Sequence, residues 1–213
     1  RRRLTLHEDA RLLGLTSYVY ELGGGVVVDG DEIALAPAGS NGRTIYEQID
    51  ESGAPQLLLA SFPGRLEYHE PWHEGREITH LMRGLVDVDT ANGLLEHNGL
   101  TELQLVDNGE ISPKPSLPDL PGPPHAYHLL PRAASKAAGV ATHMRVRGYA
   151  GEDCIAVGDS PEDLGMADVV GRFFLVSNAA VWGAGRANVE MTEASHGEGF
   201  YEAVVRSLAE ARG

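Results

Sequence analysis

Two carboxylates, Asp159 and Asp163, flank the Ser160-Pro161 pair in "CIAVGDSPEDLGMADVV" (154–170), directly behind an apolar run that reads as a buried strand. An unpaired charge is costly at the end of such a strand, so Asp159 needs a physical reason to stand there. Helix capping explains its neighbours. Ser160 is of N-cap type, Pro161 suits a first helical position, and Asp163 falls where a capping-box carboxylate belongs. Asp159 precedes the cap and gains only a weak dipole interaction from it, whereas a hard cation with oxygen ligands would supply its missing partner.

The chain uses Arg fifteen times and Lys only twice, at Lys114 and at Lys136 in "PRAASKAAGV". An ammonium is a compact point charge suited to an oxygen lying between phosphate and carboxylate, while a guanidinium is a planar fork. Lys136 is therefore either a solvated residue in a first helical turn or a cation kept for a site that needs its shape.

The elements that must position these residues follow an α/β pattern. "YHLLP" reads as a short strand and "ASKAAGVATHMRVRG" as a helix. "CIAVGD" is a strand, "SPEDLGMADVV" a helix, "RFFLVSN" a strand and "GEGFYEAVVRSLAEA" a closing helix. Such alternation implies a parallel sheet, which places ligand sites at the carboxyl ends of its strands, where Asp159 lies. Upstream, "LHEDARLLGL" reads as a helix and "SYVYELGGGVVVDGDEIALA" as strand, Gly turn and hairpin. From residue 37 a helix, a His- and Pro-rich loop and the strand-helix-strand unit "GLVDVDTANGLLEHNGLTELQLVDNGE" form a compact insert. "ISPKPSLPDLPGPPHA", with six prolines in sixteen residues, reads as the linker that ends it. The expected domains are a core of 1–36 and 119–213 with an α+β insert at 37–118.

With 213 residues and 42% hydrophobic content the chain can bury a real core. Its 31 acidic against 17 basic side chains, a formal charge of −14, argue against nucleic acid and anionic membrane surfaces as partners. Cys154 is the one cysteine, which excludes an internal disulfide and suits a reducing, cytoplasmic setting.

"SKAAGV" followed by "GDSPEDLGMA" resembles motifs III and IV of the haloacid dehalogenase-like hydrolases, most closely their sugar-phosphate phosphatases acting on mannosyl-3-phosphoglycerate or sucrose phosphate. The likeness covers residues 120–213 well. It extends to the opening 36 residues, where "YVYELGGGVVVDG" is similar to the family's strand and hairpin after motif II. The resemblance implies a Rossmannoid parallel-sheet core with an inserted α+β cap. It also implies hydrolysis of a small phosphate ester through an aspartyl phosphate, with Mg²⁺ as cofactor. Lys136 would steady the phosphoryl oxygens, Asp159 would ligate Mg²⁺ and Asp163 would support that site. Ser160 and Asn178, and from the cap Arg83, His80 and Asn108, are the implied substrate contacts.

The family's nucleophile motif, D-x-D-x-[T/V], has no counterpart in the opening segment, so the resemblance implies a nucleophile outside this sequence and an N-terminally incomplete chain, inactive by itself. Two other functions remain open, a phosphomutase of the same superfamily and a non-catalytic binding module of the same fold. Asp87, Asp89 and Thr90 in "GLVDVDTANGLL" imitate the nucleophile motif, but the Thr stands one place early and the unit falls where the cap is inserted. His69, His73 and His80 in "YHEPWHEGREITH" have the types of a metal site, and Pro71 argues instead for a surface loop. His125 and His128 read as hinge or core-edge residues, Cys154 as an inert buried thiol, and Arg1 to Arg3 as a solvated helix start.

Overall fold

A computed structural model of the protein describes residues 1–34, 42–179 and 185–212, which divide into two units, residues 1–134 and 135–213. The architecture is α/β, with ten strands and seven α-helices among the described residues. No described helix is long and apolar enough to cross a membrane. The expected boundary at 36/37 lies outside the described residues.

The first unit opens with α1 (Arg3–Leu12) and an antiparallel meander of β1 (Tyr18–Tyr20), β2 (Gly25–Val28) and β3 (Asp31–Ala34). Asp29 and Gly30 turn β2 into β3 with positive φ of 51° and 93°, the torsions that a tight hairpin demands and an Asp-Gly pair tolerates. Next come α2 (Ile45–Glu51), held by a Thr44/Glu47 capping box, and α3 (Ala54–Ser61). β4 (Leu66–Tyr68), β5 (His80–Gly84), α4 (Val88–His97), β6 (Leu103–Glu110) and β7 (His125–Pro131) follow. The four strands form an antiparallel sheet ordered β4-β5-β7-β6. Leu58, Met82, Ala91, Leu95, Leu105, Tyr127 and Leu129 close its core, none more than 1% exposed. Asn92 clips α4 to β6 by accepting from Leu105 N at 2.7 Å and donating to Leu105 O at 3.1 Å.

Three expectations about this region are corrected. The strand "YHLLP" does not open a parallel core. It lies in β7, a central strand of the antiparallel sheet, paired with β5 and β6. The Pro-rich stretch accordingly links two neighbouring strands of one sheet, with Leu117 buried and Ile111 N donating to Pro124 O. Proline excludes helix and central strand, but it does not tell a linker between domains from a long loop within one. The strand expected to open "GLVDVDTANGLLEHNGLTELQLVDNGE" ends at Gly84, and Asp87 caps the helix that follows.

The second unit contains α5 (Lys136–Arg147), β8 (Ile155–Gly158), α6 (Pro161–Leu164), β9 (Arg172–Leu175), β10 (Val189–Met191) and α7 (His196–Glu210). The strands form a parallel sheet ordered β10-β9-β8. β9 lies in the middle and is buried, with Phe173 and Phe174 fully enclosed, whereas Ile155 on the edge strand β8 stays 38% exposed. The helix expected over 160–170 is shorter, because α6 gives way to a 3-10 turn at Gly165–Asp168.

Candidate active site

The parallel strand β8 delivers Asp159 at its carboxyl end, and the turn that follows is built by Asp163. Ser160 and Asp163 form a reciprocal capping box at the start of α6. Asp163 Oδ2 accepts from Ser160 Oγ at 2.8 Å and from the Asp159 and Ser160 backbone N–H groups at 3.2 and 3.3 Å. Gly158 permits this tight turn, since a methyl at its Cα would sit 2.8 Å from Asp163 Cγ. Ser160, expected to contact substrate, is thus engaged in capping, as its residue type also suggests.

Lys136 is the first residue of α5, capped by Ser135. A cation there opposes the helix dipole, and carboxylates compensate it. Lys136 Nζ donates to Asp163 Oδ1 at 2.7 Å and lies 3.3 Å from Glu162 Oε2. Burial alone would lower the ammonium's pKa, but the hydrogen bond to Asp163 and the charges of both carboxylates outweigh it and raise it. Burial works against the ionised Asp163 as well, yet the bonds from Lys136, Ser160 and Asp159 hold its carboxyl below the usual range. Glu162 goes the other way. Burial pushes its carboxyl up, and Lys136 offsets that only in part. Glu162 was missed in the sequence, where its one signal is that it makes a third acid within five residues of Asp159.

Asp159 differs from both. It is exposed, and no described residue donates to its carboxylate, so its oxygens are open. That chemistry suits a hard cation such as Mg²⁺. Asp163, with both oxygens taken, is a positioning group for Lys136 and the turn. Among the described residues no group of three His, Cys, Asp or Glu side chains is arranged to hold a metal, so Asp159 fits as one ligand of a shared site.

The other expected site residues are placed elsewhere. Asn178 is exposed, and its Oδ1 accepts from His196 N at 2.7 Å, tying down the start of α7. Asn108 is exposed on β6. Arg83 on β5 is committed to Glu67 at 2.6 Å, with Ser116 Oγ and the Glu70 carbonyl completing its shell. His80 is fully buried, stacked on Tyr46 with ring centroids 3.8 Å apart, and both of its ring nitrogens face partners, the Tyr46 carbonyl and Tyr68 Oη. It has no surface to offer a substrate and is corrected to a core residue. Asp87 caps α4 by accepting from Thr90 N at 2.8 Å and Thr90 Oγ1 at 2.6 Å, which accounts for the Asp-Thr spacing without catalysis. His128 is buried beside Thr79, and His125 pairs with Asp107.

Buried histidines make the first unit sensitive to acid. Desolvation lowers the pKa of His80, and desolvation with Arg83 lowers that of His69, both from an ordinary value of 6.5. Below that value the unfolded chain binds protons that the folded one refuses, so stability present above pH 6.5 is lost as pH falls through it. Each histidine contributes at most about 1.4 kcal/mol per pH unit to that slope. Urea titrations between pH 5 and 8 measure it, and a flat profile would contradict the burial of His80.

Residues 121–203 match the family described as haloacid dehalogenase-like hydrolase. A phosphoglycolate phosphatase of Natronomonas pharaonis is 35% identical over 83 residues, 39% of this chain, and that match spans 36% of the relative's length. One of Methanococcoides burtonii is 25% identical over 204 residues, covering 96% of this chain and 78% of the relative. Among solved structures, the sucrose-phosphatase of Synechocystis sp. PCC6803, in complex with sucrose and phosphate, is similar with a TM-score of 0.66. It is 16% identical, over 97% of this chain and 81% of that one. A phosphatase of the same enzyme superfamily from Bacteroides thetaiotaomicron has a TM-score of 0.65 at 12% identity, over 97% and 79%. Residues 121–203 thus match the haloacid dehalogenase-like hydrolase family, and the fold along the chain is similar to that of the sucrose-phosphatase.

Proposed function

We propose that the chain carries the phosphate- and metal-handling residues of a Mg²⁺-dependent phosphatase acting on a small phosphorylated metabolite. The observation that carries this reading is the Lys136–Asp163 bond at 2.7 Å, placed next to the open Asp159 carboxylate at a parallel strand's carboxyl end. Asp159 would hold Mg²⁺, which supplies charge neutralisation at the phosphoryl oxygens when bound. Lys136 presents an ammonium to those oxygens as negative charge develops on them, and Asp163 fixes where that ammonium stands. The attacking carboxylate comes from outside these 213 residues. It displaces the alkoxide from phosphorus to form an aspartyl phosphate, and water then attacks phosphorus, releasing orthophosphate and restoring the carboxylate.

The sheet of β4 to β7 with α2 to α4 serves in this reading as the substrate-selecting cap. Within that unit a cavity of about 470 Å³ is lined by Leu59, Leu66, Glu67, Tyr68, Glu70, Arg83 and Ser116. Phosphoglycolate and sugar phosphates are the first substrates to assay, on the names of the relatives and of the fold neighbour.

The test compares the 213-residue chain with a longer form that supplies the nucleophile, against these esters in Mg²⁺ and in EDTA. The longer form should turn over in Mg²⁺ only, and the chain alone should not. Turnover by the chain alone that Asp87→Asn stops would make Asp87 the nucleophile and overturn the reading. Lys136→Arg should cost the longer form about a hundredfold in kcat, because a fork does not fit where one ammonium sits between two carboxylates. A near-normal rate would return Lys136 to a solvated helix residue.

A further inference from the structure

Lys136 is held between two carboxylates. Asp163 takes one of the ammonium's three donors in a short bond and locks the turn, and Glu162 closes on the same ammonium at 3.3 Å with its side chain only 19% exposed. Among the second unit's own side chains the charges here are Lys136 against Asp159, Glu162 and Asp163, an excess of negative charge where the proposed reaction must receive a dianion. A phosphate entering this cluster by itself meets repulsion that its bond to Lys136 must overcome, and a divalent cation removes that repulsion.

We propose that Glu162 is a positioning residue that gates the site, holding the Lys136 ammonium in a two-carboxylate clamp so that a phosphate group is accepted only together with a divalent cation. This rests on the phosphatase reading of Lys136 and Asp159, and adds to it an order of events set by a residue that need not touch the substrate. Burial supports the role, since a carboxylate kept from water has its field screened less than one on the surface.

The chain's two lysines make the clamp directly observable. Labelling with ¹⁵N-lysine gives two ammonium signals, and Lys114→Arg identifies that of Lys136. Glu162→Gln should shift the Lys136 signal and leave that of Lys114 in place, while Glu162→Asp, which keeps the charge, should restore the wild-type behaviour described next. Inorganic phosphate is then titrated by calorimetry, with circular dichroism as the check on folding. In EDTA, Glu162→Gln should bind phosphate about tenfold more tightly than wild type, the effect of removing one charge a few ångströms away. With saturating Mg²⁺ the two should agree within about threefold. Glu152→Gln, an equal change in net charge at an exposed residue, should leave phosphate affinity unchanged. The gate is overturned if Glu162→Gln gains nothing in EDTA, if it gains as much in Mg²⁺, or if Glu152→Gln gains equally. Lys136→Ala separates the two levels. Loss of phosphate binding in Lys136→Ala with no gain in Glu162→Gln would leave the phosphatase reading intact and sink the gate alone. Unchanged binding in Lys136→Ala would sink both.

Discussion

Asp159→Asn should abolish Mg²⁺-dependent turnover in the nucleophile-supplying form while leaving the fold intact. Asparagine keeps the volume and one oxygen, and the residue is exposed with no described hydrogen bond to its carboxylate, so neither a cavity nor an orphaned donor results. What disappears is the charge that suits a hard divalent cation. The expected loss in kcat/KM is a hundred- to thousandfold, about 3–4 kcal/mol of transition-state stabilisation. Excess Mg²⁺ should recover part of it. Thermal melts of the metal-free proteins should coincide. A variant that keeps most of its turnover at low Mg²⁺ would remove Asp159 from the metal site, and one that melts early would make it a structural residue.

Asp163→Asn should behave differently, because Asp163 is a keystone of the turn. Its Oδ2 receives three donors and its Oδ1 receives Lys136. The amide would present a donor to one of these donors and leave the ammonium without its strongest partner. Two acids four residues apart in one motif thus carry separable work.

That motif was legible because its geometry is local. The cap, the proline and the acid at the third position are bonded within five residues of one another, and the rarity of lysine pointed to Lys136. The partner between them was not legible. Glu162 reads as an ordinary helical-turn acid until α5 brings Lys136 against it from 26 positions away. Strand membership failed for a similar reason. An apolar run such as "YHLLP" announces a strand, but which sheet it joins is decided by pairing with β5 and β6, from residues 80–84 and 103–110. The three-residue strands β4 and β10 carry too little pattern to be seen alone. β10 exists through its register with β9, Val189 opposite Phe173. His80 was misread because burial, unlike residue type, is a property of the packed unit.

The largest stability effect should come from a residue that the sequence presents only as part of a glycine turn. Glu21 has no solvent exposure, and its carboxylate accepts from three consecutive backbone N–H groups, Glu77 at 3.0 Å, Ile78 at 3.1 Å and Thr79 at 2.7 Å. Thr79 Oγ1 adds a fourth bond at 3.2 Å, and the buried Arg76 guanidinium stands 3.9 Å away. The turn after β1 is thereby pinned to the segment that leads into β5. Gly24 lets it approach, since a Cβ there would collide with the Ile78 side chain. Glu21→Ala would orphan three backbone donors and leave Arg76 buried without its counter-ion, a loss of about 3–5 kcal/mol. At about 2–4 °C per kcal/mol for a protein of this size, the first unit's melting temperature should fall by roughly 6–20 °C. Glu21→Gln keeps the shape but turns an NH₂ toward donors, and should recover only part of the loss. Calorimetry with urea titration followed by far-UV circular dichroism measures both variants. A Glu21→Ala protein within about 1 kcal/mol of wild type would mean that water replaces the carboxylate at those amides, and that the turn is held by its glycines and the packing of Ile78 alone.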